Sequence, residues 1–198
     1  MGKFFNITLI LCLTAAMILG QTKKNVEKVY ELIEKSVTEL TSGKVQKENK
    51  IFIDFDSPEG FSILKNSLIE KTGAVAKIAP KKEEAEYILA YTVEDAAVKY
   101  SETFTKSFLG ASFVEREVSL KGFGGLNKQN ESVSTGHFSH SIKDTVAYKE
   151  LKELGNQAYP FSNPEIPPEP FFASIWEPLI VVAVAVTTVY LLFTVRSK

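Results

Sequence analysis

The sequence predicts an α/β domain: a two-layer sandwich of a mixed, mostly antiparallel sheet with helices on one face, followed by one C-terminal transmembrane helix. Three observations predict it. Apolar residues recur at three- and four-residue steps from Asn25 to Leu40, the period of an amphipathic helix. They alternate with polar residues over several stretches between Tyr87 and Ile142, the period of half-buried strands. Leu179 to Val195 then holds only apolar residues and threonines, without a charge.

In the first helix Val26, Val29, Tyr30, Ile33, Val37 and Leu40 share one face, with Lys and Glu opposite, and Ser42-Gly43 ends it. Lys50 to Phe55 (KIFIDF) reads as a short buried strand. Asp56, Ser57 and Pro58 predict a helix start, with an oxygen acceptor at the cap and proline in the first turn. That helix turns Phe61, Leu64, Leu68 and Ile69 inward and stops at Thr72-Gly73. A short strand, Val75 to Ile78, completes one right-handed crossover.

The charged turn Lys81 to Glu86 leads into a strand from Tyr87 to Tyr100, with Tyr87, Leu89, Tyr91 and Val93 on one face. Ser107 to Ala111 turns the chain into a strand of roughly Phe113 to Phe123, where Val114, Val118 and Leu120 alternate with Glu115, Glu117 and Ser119. Leu126 to Glu131 supplies the next turn and Val133 to Ile142 the last strand of the meander. Thr145 to Leu154, capped by Asp144 and closed by Gly155, predicts a final helix.

The two ends divide from this middle. Residues 1–20 open with Lys3, continue apolar from Phe4 to Leu19 and end small, the pattern of a secretory signal; Ile18 at the −3 position leaves an uncleaved anchor as the alternative. Cys12 follows Leu11 where lipid attachment wants a small residue, so lipidation is rejected. Residues 21–158 make the extracytoplasmic domain. Residues 159–172 are a proline-rich spacer holding Pro160, Pro164, Pro167, Pro168 and Pro170. It either extends as a semi-rigid rod or folds back through its aromatics. Tyr159, Phe161, Phe171, Phe172 and Trp176 are therefore the candidate interaction residues. Residues 173–195 are the expected membrane span, with Leu179 to Val195 covering roughly 25 Å. Arg196 and Lys198, in the tail 196–198, mark the cytoplasmic side. In a bacterium with two membranes the helical anchor points to the inner one, with the domain in the periplasm.

Composition narrows the function classes. Of 23 basic and 24 acidic residues, Lys3, Arg196, Lys198 and Glu177 lie in the end segments, leaving the middle near −3. No clustered positive field suggests nucleic acid. The only cysteine is Cys12, so the middle can form neither a disulfide nor a thiolate metal site.

Asp54 and Asp56 form D-x-D after a strand, the placement of a phosphatase nucleophile and acid. That chemistry also needs a downstream lysine and further carboxylates about Mg²⁺, and the capping role for Asp56 is the simpler one. His137 and His140 stand three apart, which in a strand sends them to opposite faces and disfavours a shared metal. Gly122-Phe123-Gly124-Gly125 lacks the following helix that a phosphate cradle needs and reads as a strand end with a bulge. Asn130-Glu131-Ser132 is a glycosylation sequon that matters only in a glycosylating host.

The passages KIFIDFDSPEGFSILKNSLIEKTG, EEAEYILAYTVED and VEREVSLKGFGGLNKQNESVSTGHFSHSIKD follow in helix, strand, helix, short strand and meander order. In that order the chain resembles the periplasmic domains of the curli-secretion lipoproteins, the penicillin-binding-protein activator lipoproteins and the TolB amino-terminal domain. The resemblance implies the fold and a non-catalytic envelope role, and transfers no binding residue. The expected function is a membrane-anchored, non-enzymatic interaction or assembly module without cofactor, whose partners are the membrane and an envelope protein or a second copy. The alternatives are an envelope hydrolase using Asp54 and Asp56, and a stalked ligand-binding domain.

Overall fold

The structure, a computed structural model, describes residues 22–106, 110–128, 131–168 and 171–196, without the side chains of 171–178 and 195–196. The signal segment 1–20 and the sequon's Asn130 lie outside the described residues.

Helix α1 (Asn25–Thr41) keeps the predicted stripe: Val29, Leu32, Ile33 and Val37 are essentially inaccessible. Its first turn is closed by Glu27, whose carboxylate accepts the Lys24 amide at 3.0 Å, and Gly43 ends the turn beyond it at φ 69°. Strand β1 (Lys50–Asp56) follows, then helix α2 (Leu64–Val75), β2 (Lys77–Ile78), β3 (Tyr87–Tyr100), β4 (Phe104–Thr105), β5 (Ser112–Lys128) and β6 (Glu131–Ala147). A single turn α3 (Leu151–Leu154) and the long helix α4 (Phe171–Arg196) close the chain.

The sheet is mixed. β1 pairs in parallel with β2 and β3, while β5 pairs antiparallel with β3, β4 and β6. β4 continues the β3 side of β5, so the order across the sheet is β2, β1, β3 with β4, β5, β6. Helices α1 and α2 pack over one face, where Ile51, Leu89, Tyr91, Val118, Leu120 and Leu126 form the core. At 0–1 % exposure each of these side chains contributes about 1.5–3 kcal/mol by its burial.

Several expectations are corrected. The second helix begins at Leu64, not at Asp56: Gly60 at φ 99° breaks the chain direction after Pro58, and Phe61 to Ile63 form a turn first. Asp56 is the last residue of β1, so it caps nothing. Ile69, expected inside, is exposed, and α2 runs past Gly73 to Val75, which shortens β2.

The helix expected from Thr145 is still strand to Ala147, because Asp144 is held by Arg116 and Val146 is buried with Leu151 and Leu154. Gly122 to Gly125 lie inside β5, not at its end; the register shifts fall at Val93/Asp95 and Leu126/Asn127. A Cβ on Gly122 would collide with the Thr92 carbonyl oxygen of β3 and the Phe138 ring of β6, and one on Gly124 with Leu40, so Gly122 lets its neighbouring strands close up and Gly124 admits α1 against the sheet.

Among the described residues no helix is long and apolar enough to cross a membrane, so the transmembrane helix expected over 173–195 is not supported by them. In α4 the described side chains are those of 179–194, within a helix of 26 residues. Every one of them is exposed, Leu179 at 52 % and Phe193 at 76 %.

Candidate functional site

β6 is the last strand of the sheet. It is 17 residues long, roughly 55 Å at about 3.3 Å per residue, and among the described residues it is paired on one side only, to β5. Its odd-numbered residues from Glu131 to Thr145 are exposed, and the even-numbered ones from Ser134 are at least half-buried toward the helices. Its chemistry is mostly Ser, Thr and His. A long unpaired edge of low charge offers free backbone donors and acceptors to another strand.

The two histidines lie on β6 and face opposite ways, as the odd spacing predicts. His137 is open to solvent, with Nδ1 3.3 Å from Glu94 and its ring edge-on to Phe123. His140 is nearly enclosed and stacks on Phe138. Its Nε2 lies 3.1 Å from Glu39 yet outside hydrogen-bond geometry, so this is a close contact and not a bond.

Asp54 and Asp56 project together from the exposed face of β1, beside Ala90 and Thr92 of β3. Among the described residues no group of three or more His, Cys, Asp or Glu could hold a metal ion.

At the opposite end from the β5–β6 turn lies a buried polar hub that sequence reasoning did not find. Arg116 is wholly inaccessible. Its Nε donates to Asp144 Oδ1 at 2.8 Å and its Nη2 to the second oxygen of the same carboxylate. Its Nη1 donates to the Lys23 carbonyl at 2.8 Å and to Asn25 Oδ1 at 3.0 Å. Asn25, also inaccessible, donates from Nδ2 to the Tyr100 hydroxyl at 2.9 Å and to the Ser162 carbonyl at 2.8 Å.

The guanidinium thus joins β5 to β6 and to the start of α1, and through Asn25 the same network reaches β3 and the segment after α3. Burial holds the Tyr100 phenol above its usual range, against the opposing pull of Asn25 and Arg116. Arg116 occupies an inward position in the alternation of β5, between Val114 and Val118. That misplaced charge is the one sequence signal that could have revealed the hub.

Of the spacer residues, Tyr159 stacks with Phe161, and Phe161 packs on Phe61 at 5.5 Å and on the main core. Burial pushes the Tyr30 phenol up, with the neighbouring Tyr159 adding to it. Further along, Tyr148 donates to the Pro167 carbonyl and Thr103 to the Pro168 carbonyl, each at 3.0 Å, while Ile166 packs on the small cluster under β5 and β6. Residues 159–168 therefore lie on the domain and do not stand off it. The structure brings Tyr159 and Phe161 together; the side chains of Phe171, Phe172 and Trp176 lie outside the described ones.

No family model and no curated protein matches the chain. Among solved structures it is similar to a Helicobacter pylori protein described as a neuraminyllactose-binding hemagglutinin homologue: 14 % identity, 61 % of this chain and 83 % of that one covered, TM-score 0.35. It is similar to a minor lipoprotein of Acinetobacter baumannii at 11 % identity, covering 55 % and 80 %, TM-score 0.34. It is also similar to the rare lipoprotein B of Shewanella oneidensis at 12 % identity, covering 74 % and 93 %, TM-score 0.28. Likenesses at these TM-scores establish no shared fold and assign no family.

Proposed function

We propose that this chain is a single-pass membrane protein whose α/β domain stands outside the cytoplasm and binds an envelope protein, without catalysis, by adding a strand to β6. The observation that carries this is that β6, 17 residues long, is paired on one side only among the described residues. Backbone groups along such an edge give affinity, and the alternating side chains give selectivity.

The anchor is supported by α4 itself. Over 179–194 its described apolar side chains are exposed all round, which is unfavourable in water and in lipid is the stable arrangement. Arg196 and, further along the sequence, Lys198 favour the cytoplasmic side, and the apolar stretch behind Lys3 fits an export signal. Asp54 and Asp56 remain the residues to neutralise in a hydrolase assay; their exposed position gives no enclosed site in which a developing charge would be stabilised.

The test is gentle detergent extraction of the tagged full-length protein, crosslinking, and mass spectrometry. A reproducible partner crosslinked to β6, and lost in Ser139→Lys with Ser141→Lys while far-UV circular dichroism is unchanged, is the expected result. Crosslinks that avoid β6, or a monomer without any, would overturn strand addition.

A further inference from the structure

We infer that the β3–β5 hairpin, through Phe104, Phe113 and Lys106, rests in the headgroup region of the same bilayer that α4 crosses, so that the domain is seated directly on the membrane and not carried on a stalk. This deepens the proposed function and rests on its membrane anchor.

The inference follows from how the tail leaves the domain. A proline-rich segment of this length, if free, would extend at about 3.1 Å per residue and hold the domain well clear of the lipid. Here it is spent on the domain surface: the Ser162 carbonyl is bound by Asn25, the Pro167 carbonyl by Tyr148, and the Pro168 carbonyl by Thr103. The last of these bonds lies three residues before α4 begins at Phe171. Three residues span at most about 11 Å. With the hydrogen bond and one further residue added, Thr103 and Phe104 are thereby tethered within roughly 20 Å of the helix start, whichever way the helix leans.

What the tether brings to the surface has interfacial chemistry. Phe104 is one of the few large apolar side chains that the domain exposes, at 39 %. It lies 6.2 Å from Phe113, its register partner across the β4–β5 pair. Lys106 sets its ammonium 5.0 Å from the Phe113 ring centre. Two aromatic rings with a lysine head above them match the layer where rings lie among glycerol and acyl groups and a cation meets lipid phosphate. Asn25, itself bonded to Arg116, also holds the Ser162 carbonyl, so the same hub keeps the spacer at this end of the sheet.

The test uses full-length protein in a Cys12→Ala background, reconstituted in vesicles of three parts phosphatidylcholine to one part phosphatidylglycerol. An environment-sensitive fluorophore is attached at Phe104→Cys, at Thr105→Cys, which keeps Phe104, or at Lys47→Cys in the loop before β1 at the other end of the sheet. Carbonate extraction reads the anchor separately.

The expected result is resistance to carbonate together with blue-shifted emission, and several-fold stronger quenching by shallow spin-labelled lipid at 104 and 105 than at 47. Carbonate resistance with equal, water-like signals at all three positions would overturn the seating while leaving the anchor in place. Release by carbonate would overturn the anchor, and the inference with it.

Discussion

The two ends of this domain are held by different physics. Over most of the sheet, α1 and α2 cover an apolar layer of Leu, Val, Ile and Tyr side chains. At the end where β3 finishes and β5 begins, the apolar cluster shrinks to Val114, Val146, Leu151 and Leu154, and a buried arginine takes over the joining of segments. The apolar layer is non-directional and tolerates exchange of similar shapes. The hub is directional, and its two inaccessible members, Arg116 and Asn25, find their side-chain partners within it. The first makes the domain stable; the second decides where the chain enters and leaves it.

The contrast is broken most strongly at Arg116. Arg116→Ala leaves Asn25 and Asp144 without their buried partner and should cost about 3–5 kcal/mol in urea unfolding, with the segment 156–168 becoming the first site of limited proteolysis. Arg116→Met, of similar volume and apolar, should recover part of that stability but not the proteolytic protection of the tail.

Leu89→Ala, in the apolar layer, should cost about 2–5 kcal/mol by cavity formation and lower the unfolding midpoint without a preferred cleavage site in the tail. Gly124→Ala should cost about 1–3 kcal/mol, because the new methyl group meets Leu40 and presses α1 off the sheet. Both are read from denaturant curves.

The smallest effect concerns Tyr91, whose hydroxyl shares a buried hydrogen bond with Ser36 and whose phenol is pushed up by burial. A phenol with its folded pKa above the unfolded value of 10.0 contributes its full stability below that pH and loses it as the pH rises toward the folded value. Stability should therefore fall above about pH 10, and Tyr91→Phe, at a cost of about 1 kcal/mol near neutrality, should flatten that decline. Thermal melts between pH 8 and 11 read both.

What was legible in the sequence follows the same division. The period of α1, the apolar run of β1 and the alternation of β3 are properties of the apolar layer, and all three lie where the pattern puts them. The start of α2 was misplaced because Asp56-Ser57-Pro58 is a good local cap signal that Gly60 overrides by turning the chain first. The end of β6 was misread as helix because Thr145 to Leu154 has fair helical composition, whereas Asp144 and Val146 are fixed in the strand by partners far away in sequence.

The hub depends on contacts such as Asn25 to Ser162 and Arg116 to Lys23, which no window of neighbouring residues contains. The aromatics of the spacer gave its docking away in part. The choice between rod and fold-back needed the positions of Phe61 and Tyr30.

Amide hydrogen exchange of the full-length protein in detergent micelles tests most directly whether the tail belongs to the domain. The Tyr159, Ser162 and Asn163 amides are bonded within the 156–163 turn, to the carbonyls of Asn156, Tyr159 and Pro160. In the wild type they should exchange slowly alongside the adjoining ends of β5 and β6, and in Arg116→Ala they should exchange fast while β1 and β3 stay protected. Fast exchange of these amides in the wild type would show a free linker and contradict the account.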